Sequence, residues 1–179
     1  MEKRSSTNLF IVDDHQMVVD GLISLLNNEE RYEIVGYSTQ PKDVMLMLEG
    51  LNVHILLTDI NMPEMTGVEL TRLVKNKFPQ IKVLALSMFG ERQVIKEMID
   101  AGVSGYILKN TGKKELIEAL DKLSAGQTFF GEQVTEELMK SFKNNDEMPH
   151  LTNREVEIIR LIENENSNKK IADILFISE

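Results

Sequence analysis

The chain of 179 residues contains no cysteine. That excludes a disulfide framework, a thiol nucleophile and a cysteine-ligated zinc centre, and it suits a reducing compartment. Long hydrophobic runs are missing as well. The basic pair Lys3 and Arg4 precedes only the apolar stretch 9–12, which Asp13 and Asp14 stop. Neither a signal peptide nor a membrane span fits, and a cytoplasmic location without membrane contact is expected. Positive charge is in deficit, with 20 basic against 29 acidic residues and a net charge of −9. A chain whose whole surface binds nucleic acid is thereby excluded, and any DNA contact must be local. No Walker loop ending in Gly-Lys-Ser/Thr is present, no glycine-rich nucleotide loop follows a strand, and there is neither an internal repeat nor a low-complexity tract.

What is present is apolar material for a core: 42% hydrophobic against 27% charged residues, in a length slightly above the roughly 150 residues of an average domain. From Leu9 to about Ala125, short aliphatic runs alternate with amphipathic stretches, the pattern of βα units around a parallel sheet. The candidate strands are 9–12, 32–36, 54–58, 82–87 and 105–108. Between them, Met17, Val18, Leu22, Leu25 and Leu26 keep helical spacing, as do Leu70, Leu73, Val74 and Phe78. The expected class is α/β, with five strands and helices on both faces. The first, third and fourth strands are nearly all apolar and should be central.

In open parallel sheets the chemistry sits at the carboxyl ends of the strands. Here Asp13 and Asp14 follow the first run, Asp59 the third, Ser87 closes the fourth and Lys109 follows the fifth. One such residue alone would be a helix cap or a solvated group; the coincidence at four strand ends points to a site. Three carboxylates brought together in a cleft repel, and a hard divalent cation offsets that charge, with Mg²⁺ the natural choice. A carboxylate can take a phosphoryl group as an acyl phosphate, and Asp59 is best placed to do so. Lys109 would clamp the phosphoryl oxygens and the Ser87 hydroxyl would donate to one of them. His15, beside the acidic pair, is read as an exposed polar residue rather than a metal ligand or general base. His54 and His150 suggest no partners, and the ten methionines read as packing and surface scatter.

The motifs Val12-Asp13-Asp14-His15, Leu57-Thr58-Asp59-Ile60-Asn61-Met62-Pro63 with Gly67, Ala85-Leu86-Ser87 and Gly105-Tyr106-Ile107-Leu108-Lys109 resemble those of bacterial two-component response regulator receivers. The resemblance covers roughly residues 9–125. It implies a flavodoxin-like, five-stranded parallel fold and phosphorylation of Asp59 by a partner histidine kinase. It also implies Mg²⁺ held by Asp14, Asp59 and the Asn61 backbone carbonyl, with Asp13 acting through water. The implied switch moves Ser87 toward the phosphoryl group and turns Tyr106 inward. Asn110 stands where many receivers carry proline after the lysine, a place often occupied by a cis peptide bond.

A receiver of residues 1–126 is expected to lead through a polar linker, 127–150, into a small all-α segment, 151–179. There Thr152 and Glu155 form a capping box, and a second helix starts near Lys169 and Lys170. The segment resembles the start of a LuxR-type (NarL/FixJ-like) helix-turn-helix domain, departing from it at Glu165 and Asn166. Such domains read DNA with the second helix of the motif, and the chain stops at the turn before it, so DNA binding is expected only if the natural protein continues beyond Glu179. Four basic and six acidic residues over 151–179 give a net of −2, which leaves Lys169 and Lys170 as backbone-phosphate contacts at most. The expected function is therefore a response regulator that switches transcription and dimerises on phosphorylation. Its rival is a phosphorylation-dependent protein-interaction module without DNA binding. An aspartate-based phosphatase, which would want an acid two residues after the nucleophile, meets Asn61 instead; an enzyme acting on other substrates is not expected.

Overall fold

The computed structural model of the chain describes residues 6–88 and 90–144. The expected helix-turn-helix segment, with Lys169 and Lys170, lies outside the described residues, as do His150 and the end of the expected linker.

Six parallel strands form one sheet in the order β2-β1-β3-β4-β5-β6. They are β1 (Thr7–Val12), β2 (Tyr32–Ser38), β3 (Ile55–Asp59), β4 (Lys82–Ser87), β5 (Gly105–Leu108) and β6 (Phe129–Phe130). The helices are α1 (Gln16–Leu26), α2 (Val44–Glu49), α3 (Gly67–Lys77), α4 (Arg92–Asp100), α5 (Lys113–Ser124) and α6 (Glu132–Asn144). Because strand side chains alternate between faces, each apolar strand feeds two cores. Leu9, Ile11, Ile55, Leu57, Leu84 and Leu86 pack with α1 and α5, while Phe10, Val12, Leu56, Val83 and Ala85 pack with α2, α3 and α4. The polar residues of β1, β3 and β4 stand at the strand ends, and the apolar runs between them follow from this double burial.

Two expectations need correction. The sheet has a sixth strand, and the stretch read as a polar linker from residue 127 carries β6 and α6 through residue 144. Two phenylalanines are too short a run to show alternation. What makes the strand is the turn before it: Gly126 takes φ 79°, ending α5 with the Gln127 amide donating to the Lys122 carbonyl and the Gly126 amide to Leu123. The chain then runs alongside β5, with Phe129 beside Gly105 and Phe130 beside Tyr106. The second correction concerns α1, whose buried stripe is Val19, Leu22 and Leu26, spaced by close to one turn; Met17 is 85% exposed and Leu25 40%. Leu73 of α3 likewise points outward, while Leu70 and Val74 are buried.

Helix α3 starts from a complete capping box: Thr66 Oγ1 accepts from the Glu69 amide, and the Thr66 amide donates to Glu69 Oε2. Its first residue is Gly67 for a steric reason. A Cβ there would lie 2.2 Å from the Asp59 carbonyl oxygen and 2.8 Å from Ile60 Cα, both backbone atoms with little room to give. Elsewhere, Tyr32 at the start of β2 donates its hydroxyl hydrogen to Asp121 Oδ1 on α5, and Arg31 donates to the same oxygen. Burial, then the hydrogen bond to Asp121, pushes the Tyr32 phenol well above the usual tyrosine range.

Two outcomes follow from these contacts. Gly67→Ala is expected to destabilise the domain by about 2 kcal/mol, read as a lower urea midpoint at unchanged slope. Because the Tyr32 phenol is raised in the folded state, its contribution is complete below the unfolded value near pH 10 and is lost as pH climbs above it. The urea midpoint of Tyr32→Phe should therefore fall less than that of the parent between about pH 9 and about pH 11; equal declines would rule the coupling out.

Candidate functional site

The strand order reverses at β1, with β2 on one side and β3 on the other, so the connections leaving β1 and β3 part and open a crevice at their carboxyl ends. Asp13 and Asp14 follow β1 directly, Asp59 is the last residue of β3, and Ser87 is the last of β4. The Lys109 amide donates to the Ser87 carbonyl at 2.6 Å, which carries the β4–β5 pairing one residue further and aims the lysine at this edge.

The side chains meet there. Lys109 Nζ lies 2.6 Å from Asp13 Oδ2 and 3.0 Å from Asp59 Oδ1, and its side chain is 10% exposed. Asp13 is fully buried and Asp59 nearly so. Asp59 Oδ1 also accepts from the Ile60 amide at 2.8 Å, and Asp13 Oδ1 from the His15 amide at 3.0 Å. Burial raises the Asp59 carboxyl above its ordinary range even against the hydrogen bond and charge of Lys109. For Lys109, burial alone would pull the ammonium down, but the bonds to Asp13 and Asp59 outweigh it and hold the group protonated.

One lysine does not balance the cluster. Asp13, Asp14, His15 and Asp59 each offer a ligand atom, all within 4.8 Å of one another. Asp13 Oδ2 and Asp14 Oδ1 are buried without a well-formed hydrogen bond, although the Lys109 Nζ ammonium stands 2.6 Å from the first and His15 Nδ1 3.0 Å from the second. Buried carboxylate oxygens left in this way suit an acidic pocket that takes a divalent cation.

Ser87 and Tyr106 lie on the neighbouring strands β4 and β5, and both are buried. The Tyr106 phenol is raised by burial, with a side-chain hydrogen bond to Ser87 acting in the opposite direction. Its ring belongs to the core shared with α4 and α6. Asn61 is exposed in the loop after β3, and the Lys109–Asn110 peptide bond is trans, as are all those of the described residues. In the same loop Glu64 has φ 67°, a conformation uncommon for a residue with a side chain, and pairs with Lys42 at 3.0 Å. No sequence signal announced that backbone. His54, for which the sequence suggested no partner, accepts the Asn8 amide hydrogen at Nδ1.

Comparison with known proteins agrees with this geometry. Residues 9–121 match the response regulator receiver domain, and residues 149–179 match the LuxR family of bacterial regulatory proteins. The response regulator protein VraR of Staphylococcus aureus is 37% identical over 171 residues, covering 95% of this chain and 82% of its own length. Among solved structures, the RcsB response regulator of Salmonella typhimurium superposes with a TM-score of 0.76 at 28% identity, covering 97% of this chain and 85% of that one. A structure of an RcsB–DNA complex gives 0.74 at the same identity and coverage. The chain thus belongs to the two-component response regulators, with a receiver domain followed by a LuxR-type output segment.

Proposed function

We propose that Asp59 is the phosphoryl acceptor of this response regulator. The supporting observation is its carboxylate, buried at the end of β3, with the Lys109 ammonium 3.0 Å from Oδ1 and two further carboxylates grouped beside it. In this reading an Asp59 oxygen attacks phosphorus, the bond from phosphorus to a histidine nitrogen of a partner kinase breaks, and the imidazole leaves with the electron pair. Lys109 neutralises charge gathering on the phosphoryl oxygens, already positioned for it by strand register. Asp14, Asp59 and the Asn61 backbone carbonyl would hold Mg²⁺, with Asp13 contributing through water; the ion would offset the negative charge of carboxylate and phosphoryl group together.

Ser87 and Tyr106 form the readout. In this reading the Ser87 hydroxyl moves toward a newly installed phosphoryl oxygen and Tyr106, whose ring lies in the core beside it, responds to that movement. That local event biases dimerisation and the output segment, in the cytoplasm alongside the kinase. Among the described residues no helix is long and apolar enough to cross a membrane. RcsB is known as dimers bound to DNA, and the LuxR-family match supports a DNA-directed output here, with Lys169 and Lys170 contacting backbone phosphate. The rival reading, a module that acts through protein partners, rests only on the net charge of −2 over 151–179. Titration with duplex DNA at two salt concentrations separates the two, since only the first gives a sequence-selective, salt-dependent complex.

Incubation with a small acyl phosphate in Mg²⁺ should add one phosphoryl group to the parent chain and none to Asp59→Asn, as followed by intact mass. Undiminished labelling of the variant would refute the assignment. Lys109→Ala should still accept the group, at a rate lower by roughly 100-fold.

A further inference from the structure

His15 stands apart from the residues used so far. It follows the acidic pair, its imidazole is 66% exposed, and it occupies the N-cap position of α1 without making a side-chain cap bond. Its backbone is nonetheless fixed, because its amide donates to Asp13 Oδ1 at 3.0 Å. That anchor places Nδ1 3.0 Å from Asp14 Oδ1 and 3.4 Å from Asp13 Oδ1. Lys109 engages the opposite side of the cluster, Asp13 and Asp59, and makes no ion pair with Asp14. The Asp14 oxygen facing His15 is one of the two buried carboxylate oxygens without a well-formed hydrogen bond. Imidazole nitrogen and carboxylate oxygen are therefore already grouped at the side of the pocket that Lys109 does not reach.

An imidazole changes which ions such a pocket prefers. Mg²⁺ takes oxygen ligands and keeps its waters, so it gains nothing from a nearby nitrogen. Co²⁺, Ni²⁺ and Zn²⁺ bind imidazole well, unlike Mg²⁺, and their affinities for nitrogen and oxygen sites exceed those of Mn²⁺ and Fe²⁺. We propose that His15 is a ligand for a divalent transition ion, completing with Asp14 and Asp59 a mixed nitrogen and oxygen site that the same pocket offers to Mg²⁺ through oxygen alone. This rests on the reading of the acidic pocket as a divalent-cation site. It makes His15 the residue that sets ion preference, in place of a merely solvated side chain at a helix start.

The test uses the full chain with Co²⁺ and, separately, Mg²⁺ as probes, each titrated by calorimetry, with the visible absorption of Co²⁺ and the His15 imidazole proton resonances followed alongside. His15→Ala and His15→Gln should each weaken Co²⁺ by on the order of tenfold or more and alter Mg²⁺ by less than about twofold. Glutamine keeps hydrogen-bonding capacity but no imidazole, so both variants should lose the same ligand band. Asp14→Asn should weaken both ions. The proposal is overturned if the two His15 variants change Co²⁺ and Mg²⁺ equally or change neither, or if Co²⁺ binds Asp14→Asn as tightly as the parent, which would remove Asp14 from the ligand set. Unaltered Mg²⁺ affinity in Asp14→Asn would instead bring down the pocket assignment itself, and the inference with it.

Discussion

Lys109 holds the carboxyl edge of the sheet together. Asp13 and Asp59 are almost withdrawn from solvent, and two carboxylates so placed would repel through a medium that screens poorly. A single ammonium between them, at 2.6 and 3.0 Å, makes the arrangement tenable. Removing one member of such a buried group typically costs about 3–5 kcal/mol, because the charges left behind keep their desolvation without their partner. The lysine is not free to wander: its amide is bonded to the Ser87 carbonyl, so the register of β4 and β5 fixes where its side chain begins. Register, in turn, is set by the alternation that sends Leu84 and Leu86 to one core and Val83 and Ala85 to the other. The charged site thus depends on the hydrophobic one.

The same dependence runs outward. Tyr106 shares its core with Ile95 and Met98 of α4 and with Val134 of α6. A change in the relation of Ser87 to Tyr106 is therefore a change in the packing of two helices, and a close-packed interior does not absorb such a change gradually. In the proposed reading, a charge added at the end of β3 would act on the packing of α4 and α6 through a residue whose ring is wholly buried. The Gly67 contact with the Asp59 carbonyl follows from the same close packing, since it lets α3 begin directly against the end of the strand that closes with Asp59.

Much of this was legible in the sequence, and the reasons differ from part to part. The convergence of Asp13, Asp14, Asp59 and Lys109 could be read because a polar residue at the end of an apolar run is a one-dimensional signal, and a parallel sheet turns that signal into proximity. The family motifs around Asp59 and Lys109 sharpened it. What escaped were features that depend on direction or distance along the chain. Two phenylalanines cannot display a strand period, so β6 was invisible, and the weak apolar periodicity running into the polar stretch 143–147 and Pro149 made α6 look like linker. Met17 and Leu25 share helical spacing with Leu22, but only the position of the sheet decides which stripe is buried. The bond between Tyr32 and Asp121 joins residues 89 positions apart and has no local signature. His15, read as an exposed polar neighbour of the acidic pair, is indeed 66% exposed, while the distance from its imidazole to Asp14 had no sequence signal.

Strand β6 has a further effect on the domain as a whole. An open parallel sheet ends in two rows of unpaired backbone groups, and such rows invite other extended chains to join them. On one side β2 carries an irregularity opposite Leu9 and Phe10 that interrupts its ladder. On the other, the exposed row is that of β6, only two residues long, and β5 with its buried tyrosine is sealed behind it. The two edges are blunted by different means, one by a bulge and one by brevity, so the sheet offers little template for unwanted strand pairing while its opposite dimension, the carboxyl rim, stays open for chemistry.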